Sequence, residues 1–200
     1  MDRRVDEILD YWYGDFVKEG NAVDERFKFW FGKSEQADEE IRRRFSADVE
    51  KLIASQYQHW LQHPQGRLAC ILLIDQFCRQ IYRGTPAAFE YDHLALDFCI
   101  QGIELGHDLA LSRPLRYFYY LPLEHSEDLD HQHQCVAAYQ VMADEAPEKY
   151  RYIYLNAKGY SEEHLKIIER FGRFPHRNKI LDRKSTLAEL EFLKQPGSSF

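Results

Sequence analysis

Three groups of residues could do chemistry in this chain. The first is the ladder Asp75, Arg79 and Arg83, at i, i+4 and i+8, with Gln76 and Gln80 beside it. It lies in an otherwise apolar run, where charges are costly unless paired. Asp75 and Arg79 have the spacing of a helical ion pair. The second is Leu123–His133, with three histidines and four carboxylates in eleven residues. That composition invites a metal. Helical geometry opposes it, because His131 and Glu127 point away from the apolar stripe on which Gln132 falls, and no metal site is assigned. The third is Phe171–Asn178, a Gly- and Pro-bearing loop with two phenylalanines, two arginines and a histidine. Six Lys or Arg and one acid, Asp182, lie between Arg170 and Lys184, a basic island in a chain of net charge −7. Guanidinium forks suit phosphate or carboxylate. The same cations could instead pair with the acids at 124–130, or with Asp75 and Asp92.

These groups need helices to position them. Val5–Trp12 reads as a short helix, followed by the aromatic knot Phe27–Phe31. Ile41, Phe45, Val49, Leu52, Tyr57 and Trp60 give one helical face from Asp38 to His63, with Pro64-Gln-Gly66 as its stop. Arg67–Tyr82 is apolar on most of its circumference and is expected to be central. Thr85-Pro86 reads as N-cap and first residue of a helix to Leu105. Ser112-Arg-Pro114 opens an aromatic helix that Pro122 breaks or kinks. Ser126 is the expected cap of the next, to about Asp144. Glu148–Arg170 is helical with a break expected at Gly159, and Tyr150–Leu155 is the one stretch that also fits a strand. Thr186-Leu-Ala-Glu189 is a capping box for a last helix. The chain reads as all-α, one domain over residues 1–194 built of antiparallel helix pairs, with 195–200 a flexible tail.

Composition narrows the function classes. The negative charge argues against nucleic acid as a partner. No run of 18 apolar residues suits a membrane span. Cys70, Cys78, Cys99 and Cys135 sit in apolar runs without a C-x-x-C, as free thiols in a reducing cytosol would. A soluble, cytoplasmic protein is expected. No nucleophile motif, phosphate-binding glycine loop or dinucleotide fingerprint occurs, so no cofactor is implied.

Three blocks together resemble a bacterial family known as domain of unknown function 924. They are Leu73–Phe89, Leu121–Asp128, and His164 followed by Ile168–Asn178 and Ser185–Glu189. The resemblance implies a tetratricopeptide-like helical array, and Asp92–Gly106 is similar to the second helix of such a unit. It implies no activity. Its polar motif positions fall on Asp75, Gln76, Arg79, Arg83, Asp92, His125, Ser126, Glu127, Asp128, Gln132, His164, Arg173, His176, Arg177 and Asn178. Cys78 and Gln80 stand where the family usually has Pro and Asn, and Asp182 where Gly is usual.

The expectation is that these residues converge in one cleft. There Arg79, Arg83, Arg173 and Arg177 hold a small anion or a peptide carboxylate. His125 and His176 donate hydrogen bonds, Asp75 orients the arginines, and Asp92, Gln132 and Asn178 belong to the lining. Two rivals stand beside it. One is a hydrolase or lyase with Asp75 or Glu127 as base and His125 as acid, with or without a metal. The other is an interaction scaffold whose polar cluster is purely structural. The sequence specifies no oligomeric state.

Overall fold

The computed structural model describes residues 2–18 and 23–199. Among them every regular element is helical. Helix α1 (Arg3–Tyr13) is capped by Asp2, which accepts from the Arg4 amide, and it buries Val5, Ile8, Leu9 and Trp12 at helical spacing. Next come α2 (Val23–Phe31), which carries the aromatic knot, and α3 (Glu35–Ile53), capped by Ser34. Helix α3 ends ten residues before the expected His63. Ser55 turns the chain with a positive φ of 61°. Beyond it, Tyr57 stacks on Trp60 at 3.7 Å, and the Trp60 indole donates to Asp2. Apolar spacing carries on across this turn because both sides of it pack on one core, so periodicity alone reads as one helix.

Pro64 begins a helix rather than ending one, as the first residue of α4 (Pro64–Ile71). Its missing amide donor costs nothing at that position. Helix α4 passes directly into a π-helical turn, Leu72–Phe77, and then into α5 (Cys78–Ile81). This rod is the centre of the molecule, and every residue from Leu68 to Ile74 is completely shielded from solvent. Phe77 of the rod meets Trp12 and Phe45, and Trp12 in turn meets Trp30 and Phe118, with Phe45–Phe77 and Trp30–Phe118 ring centres 4.8 and 4.6 Å apart.

Thr85-Pro86 opens only a 3-10 turn, Pro86–Ala88, and α6 begins later (Asp92–Glu104). Helices α7 (Arg113–Tyr119) and α8 (Leu121–His125) are separated at Tyr120, as Pro122 in the first turn of α8 requires. The cap of α9 (Leu129–Glu145) is Asp128, which accepts from the amides of Asp130 and His131. Ser126 sits two residues earlier and accepts from the Asp128 amide. Helix α10 (Glu148–Phe171) runs unbroken for 24 residues through Gly159 and absorbs the Tyr150–Leu155 stretch. It stops at Gly172, whose φ of +65° gives the left-handed cap. The capping box precedes α11 (Leu187–Phe192) with both of its hydrogen bonds formed. In the stretch after it, Ser198 is buried and donates to the Leu193 carbonyl.

Neighbouring helices pack as pairs: α9 on α10, α4 on α6, and α3 on α5. A second, small cluster of Ile167, Ile168 and Phe174, with Phe171 and Phe192, seats the loop after α10 against the end of that helix.

Helix α6 packs closely against the rod and α7 at Gly102, where a Cβ would lie 1.7 Å from the Tyr119 hydroxyl and 2.5 Å from Arg67 Cδ. Both neighbours are buried. Gly102→Ala should therefore lower stability by about 1–3 kcal/mol through overpacking, read as a lowered denaturant midpoint. An unchanged midpoint would contradict this packing.

Candidate functional site

The rod places Asp75 within the π turn, and π turns recur at functional sites. Asp75 is 1% exposed. Its Oδ1 lies 2.6 Å from His125 Nδ1, and its Oδ2 accepts from Gln76 Nε2 at 2.7 Å. Burial alone would raise its pKa, but the charge and hydrogen bond of His125, then Arg79 and Gln76, hold it below the ordinary value. His125 is the last residue of α8. With Nδ1 tied to Asp75, its Nε2 is the ring nitrogen left for other partners.

Asp75 and His125 line a cleft of about 510 Å³, a size that suits a small molecule. Its other walls come from Phe89, Asp92 and Leu96 at the start of α6, from Pro122, Ser126 and Glu127 around α8, and from Arg177 and Leu181 of the loop after α10. All three polar blocks thus contribute to one concavity, and so does an apolar lining of Pro86, Phe89, Leu96, Pro122 and Leu181. Glu90 and His93 sit exposed at its rim.

The four arginines expected to meet there do not all arrive. Arg79 gives its fork to Asp92 at 2.7 and 2.8 Å and a further bond to the Ala88 carbonyl. The Asp75–Arg79 ion pair expected from i, i+4 spacing is replaced by Asp75–His125 and Arg79–Asp92. The π turn between the two residues changes their angular offset from that of an α-helix. Arg83 pairs with Asp38 of α3 at 2.5 and 2.8 Å, away from the cleft. Arg173 pairs with Glu189 at 2.7 and 2.9 Å, while the same carboxylate closes the Thr186 capping box. Arg173 and the Thr186 amide hold Glu189 down at about 2. Each of these guanidiniums is fully matched by a local carboxylate.

Arg177 differs. Its side chain is buried between two rings, 4.5 Å from the Phe174 centre and 5.2 Å from that of Phe89. Nη1 donates to the His125 carbonyl at 3.0 Å, and its nearest carboxylate oxygen, on Asp92, is 3.8 Å away and already bound to Arg79. Its buried Nε has no hydrogen-bond partner among the described residues. Burial, then the neighbouring Arg79, pushes Arg177 down to about 10, still charged at neutral pH.

The loop that delivers Arg177 is clamped by Glu127. That carboxylate receives both ends of the Arg183 fork, at 2.6 and 2.9 Å, and the Phe174 amide at 2.8 Å. Burial opposes its ionisation, but these donors win and lower its pKa. Of the cations of the basic island, Arg183 pairs with Glu127, as its structural reading expects, and Arg173 pairs with Glu189 instead, while Arg177 comes only within 3.8 Å of Asp92. Asp182 adopts φ +52°, the left-handed turn position that a glycine would fill, and leaves Arg183 to Glu127.

The remaining expected residues have other surroundings. Gln132 is fully buried, and its amide nitrogen donates to the carbonyls of Glu124 and Ser126 at 2.6 and 2.7 Å, closing the end of α8. Asn178 donates to Ser185 and accepts from Arg183. His176 lies on a second concavity with Pro175, Lys179 and Arg183. Burial, then Arg177, drives His176 down to about 4. Buried His164 accompanies it, also lowered by burial, with Nδ1 at 2.9 Å from the Tyr160 carbonyl and Glu124 3.7 Å away. The residues that sequence reasoning missed are Arg183, Asp38 and the apolar walls. Arg183 carried a signal, as the last arginine of the basic island. Asp38 lies 45 residues from its partner and carried none. Among the described residues no group of three or more His, Cys, Asp or Glu could hold a metal ion, and no helix is long and apolar enough to cross a membrane.

The histidines predict a pH response. A histidine kept neutral by folding charges more readily in the unfolded chain, so stability falls as pH drops from about 6.5 towards about 4. The lowered carboxylates Asp75, Glu127 and Glu189 act below that window. The thermal midpoint should fall between pH 7 and pH 5, and less steeply in His176→Gln. Equal slopes for the two proteins would contradict the assignment.

The comparisons with known proteins agree with the fold. The family model described as a bacterial protein of unknown function, DUF924, matches residues 8–197. A solved structure of a protein of unknown function from Agrobacterium tumefaciens is similar, with 35% identity over 96% of this chain and 97% of that one, and a TM-score of 0.79. No curated protein matches.

Proposed function

For this chain, which belongs to the bacterial DUF924 family, we propose that the cleft between α6, α8 and the loop after α10 binds a small molecule carrying one carboxylate on an apolar body. The observation that carries this reading is Arg177, a buried cation that lines the cleft with an Nε donor left without a partner. Such a donor is costly to bury unless something accepts from it. A carboxylate meets a guanidinium fork in the geometry both prefer.

One anionic group fits better than several. Three of the four anticipated arginines are already matched by carboxylates. Asp75, Asp92 and Glu127 also face the cleft and would repel a second charge. The rim carboxylate, Glu90, is exposed, where solvent and salt screen it. The apolar walls then take the body of the ligand. A peptide's terminal carboxylate with an apolar last side chain has the same chemistry. Helix-pair packing supports a tetratricopeptide-like kinship of the array, and four buried free cysteines support a reducing compartment.

Thermal unfolding with hexanoate, phenylacetate, hexanol and inorganic phosphate tests the reading. At 100 times its Kd a ligand stabilises by about 2.7 kcal/mol. The two acids should raise the midpoint, hexanol and phosphate should not, and Arg177→Met should abolish the acid effect. No shift with either acid, or an equal shift in Arg177→Met, would contradict it.

A further inference from the structure

The carboxylate reading leaves Asp75 unexplained. Arg177 and the apolar walls suffice to hold a monocarboxylate, yet the rod buries an ionised group beneath the cleft. Replacing a buried ion pair by apolar residues is often neutral or stabilising, so such a pair is weak evidence for a stability role. Its geometry is specific. Oδ1 meets His125 Nδ1 at 2.6 Å, and the other oxygen is occupied by Gln76. A carboxylate so placed holds the imidazole with its proton on Nδ1 and its lone pair on Nε2, and stabilises the imidazolium formed when Nε2 takes a proton.

We propose that the cleft hydrolyses carboxylic esters with an apolar acyl group, His125 acting as general base on water, Asp75 positioning it, and Arg177 holding the carboxylate product. The inference rests on the carboxylate reading and names the chemistry that generates that ligand. His125 Nε2 takes a proton from water as the water oxygen bonds to the ester carbon and the C=O pair moves onto oxygen. The Arg177 guanidinium, which lines the same cleft, stabilises that developing oxyanion. The oxyanion re-forms the carbonyl, the bond to the alkoxy oxygen breaks, and the alkoxide takes the proton from His125. The products are the acid and the alcohol, and the acid's own proton passes to His125.

The charges around the cleft suit a neutral substrate. The carboxylates of Asp75, Asp92, Glu127 and, at the rim, Glu90 line it, and Arg79, Arg177 and Arg183 stand beside Asp92 and Glu127. A neutral ester adds no charge to that set. The product adds one carboxylate, which the proton taken up by His125 offsets.

The test uses the full chain with p-nitrophenyl hexanoate and methyl phenylacetate. The wild type should turn both over, and His125→Gln should lose about 100-fold or more of kcat/KM while still binding hexanoate and phenylacetate. In wild type, 15N spectra should show His125 with Nδ1 protonated and Nε2 bare. Asp75→Asn should slow hydrolysis and move the proton to Nε2, a change that a merely structural aspartate would not produce. If the acids bind but neither ester is hydrolysed above the buffer rate, the inference is overturned and the binding reading stands. Hydrolysis undiminished in His125→Gln, or a wild-type His125 protonated on Nε2 alone, overturns it as well. If the acids do not bind either, both fail together.

Discussion

A guanidinium buried without a carboxylate of its own constrains the geometry around it. Arg177 stays charged at neutral pH even though burial and Arg79 push it down to about 10. Desolvating such an ion costs several kcal/mol. Its surroundings offset part of that cost. Phe174 and Phe89 present their ring faces, the His125 carbonyl accepts one hydrogen bond, and Asp92 contributes its field from 3.8 Å. Its Nε has no acceptor, and the cleft into which such an acceptor could come lies alongside.

The rest of the structure delivers this arrangement. The buried rod carries Asp75 to the floor of the cleft, and its π turn separates Asp75 from Arg79, so that each finds a different partner. Arg79 and Asp92 then tie the rod to the start of α6. Glu127, just beyond α8, clamps the loop after α10 through Arg183 and the Phe174 amide, and the Ile167, Ile168 and Phe174 cluster anchors the loop underneath. Four separate segments of chain converge, each fixed by one carboxylate bond or one apolar seat. The Arg79–Asp92 and Arg183–Glu127 pairs act as struts, and by matching their own charges they leave Arg177 as the arginine at the cleft without a dedicated counterion.

Much of this is legible in the sequence, and the failures have identifiable causes. The all-helical class, the Thr186 capping box and the centrality of the rod follow from periodicity and caps, which are local signals. The loop at Phe171–Asn178 announces itself through aromatics that a mere connector would not carry, and Phe174 is indeed fully buried. Pro64 is ambiguous in the sequence because proline both ends and begins helices, and the extended backbone of His63 before it makes it a start. The Asp75–Arg79 pair does not form because i, i+4 arithmetic assumes an α-helix, whereas the intervening turn is π. Arg83 and Arg173 looked free for a ligand because their partners, Asp38 and Glu189, belong to other helices. Residue type shows that an arginine can bind an anion. Only tertiary contacts show whether a carboxylate already does so.

The central claim is that Arg177 makes this cleft a carboxylate site. A crystal structure of the protein with hexanoate bound tests it most directly. The account predicts the carboxylate against Arg177, within hydrogen-bond distance of Nε and beside His125 Nε2, with the alkyl chain along Phe89, Leu96 and Pro122. Hexanoate seated elsewhere on the molecule, with Arg177 Nε still lacking an acceptor, would contradict it.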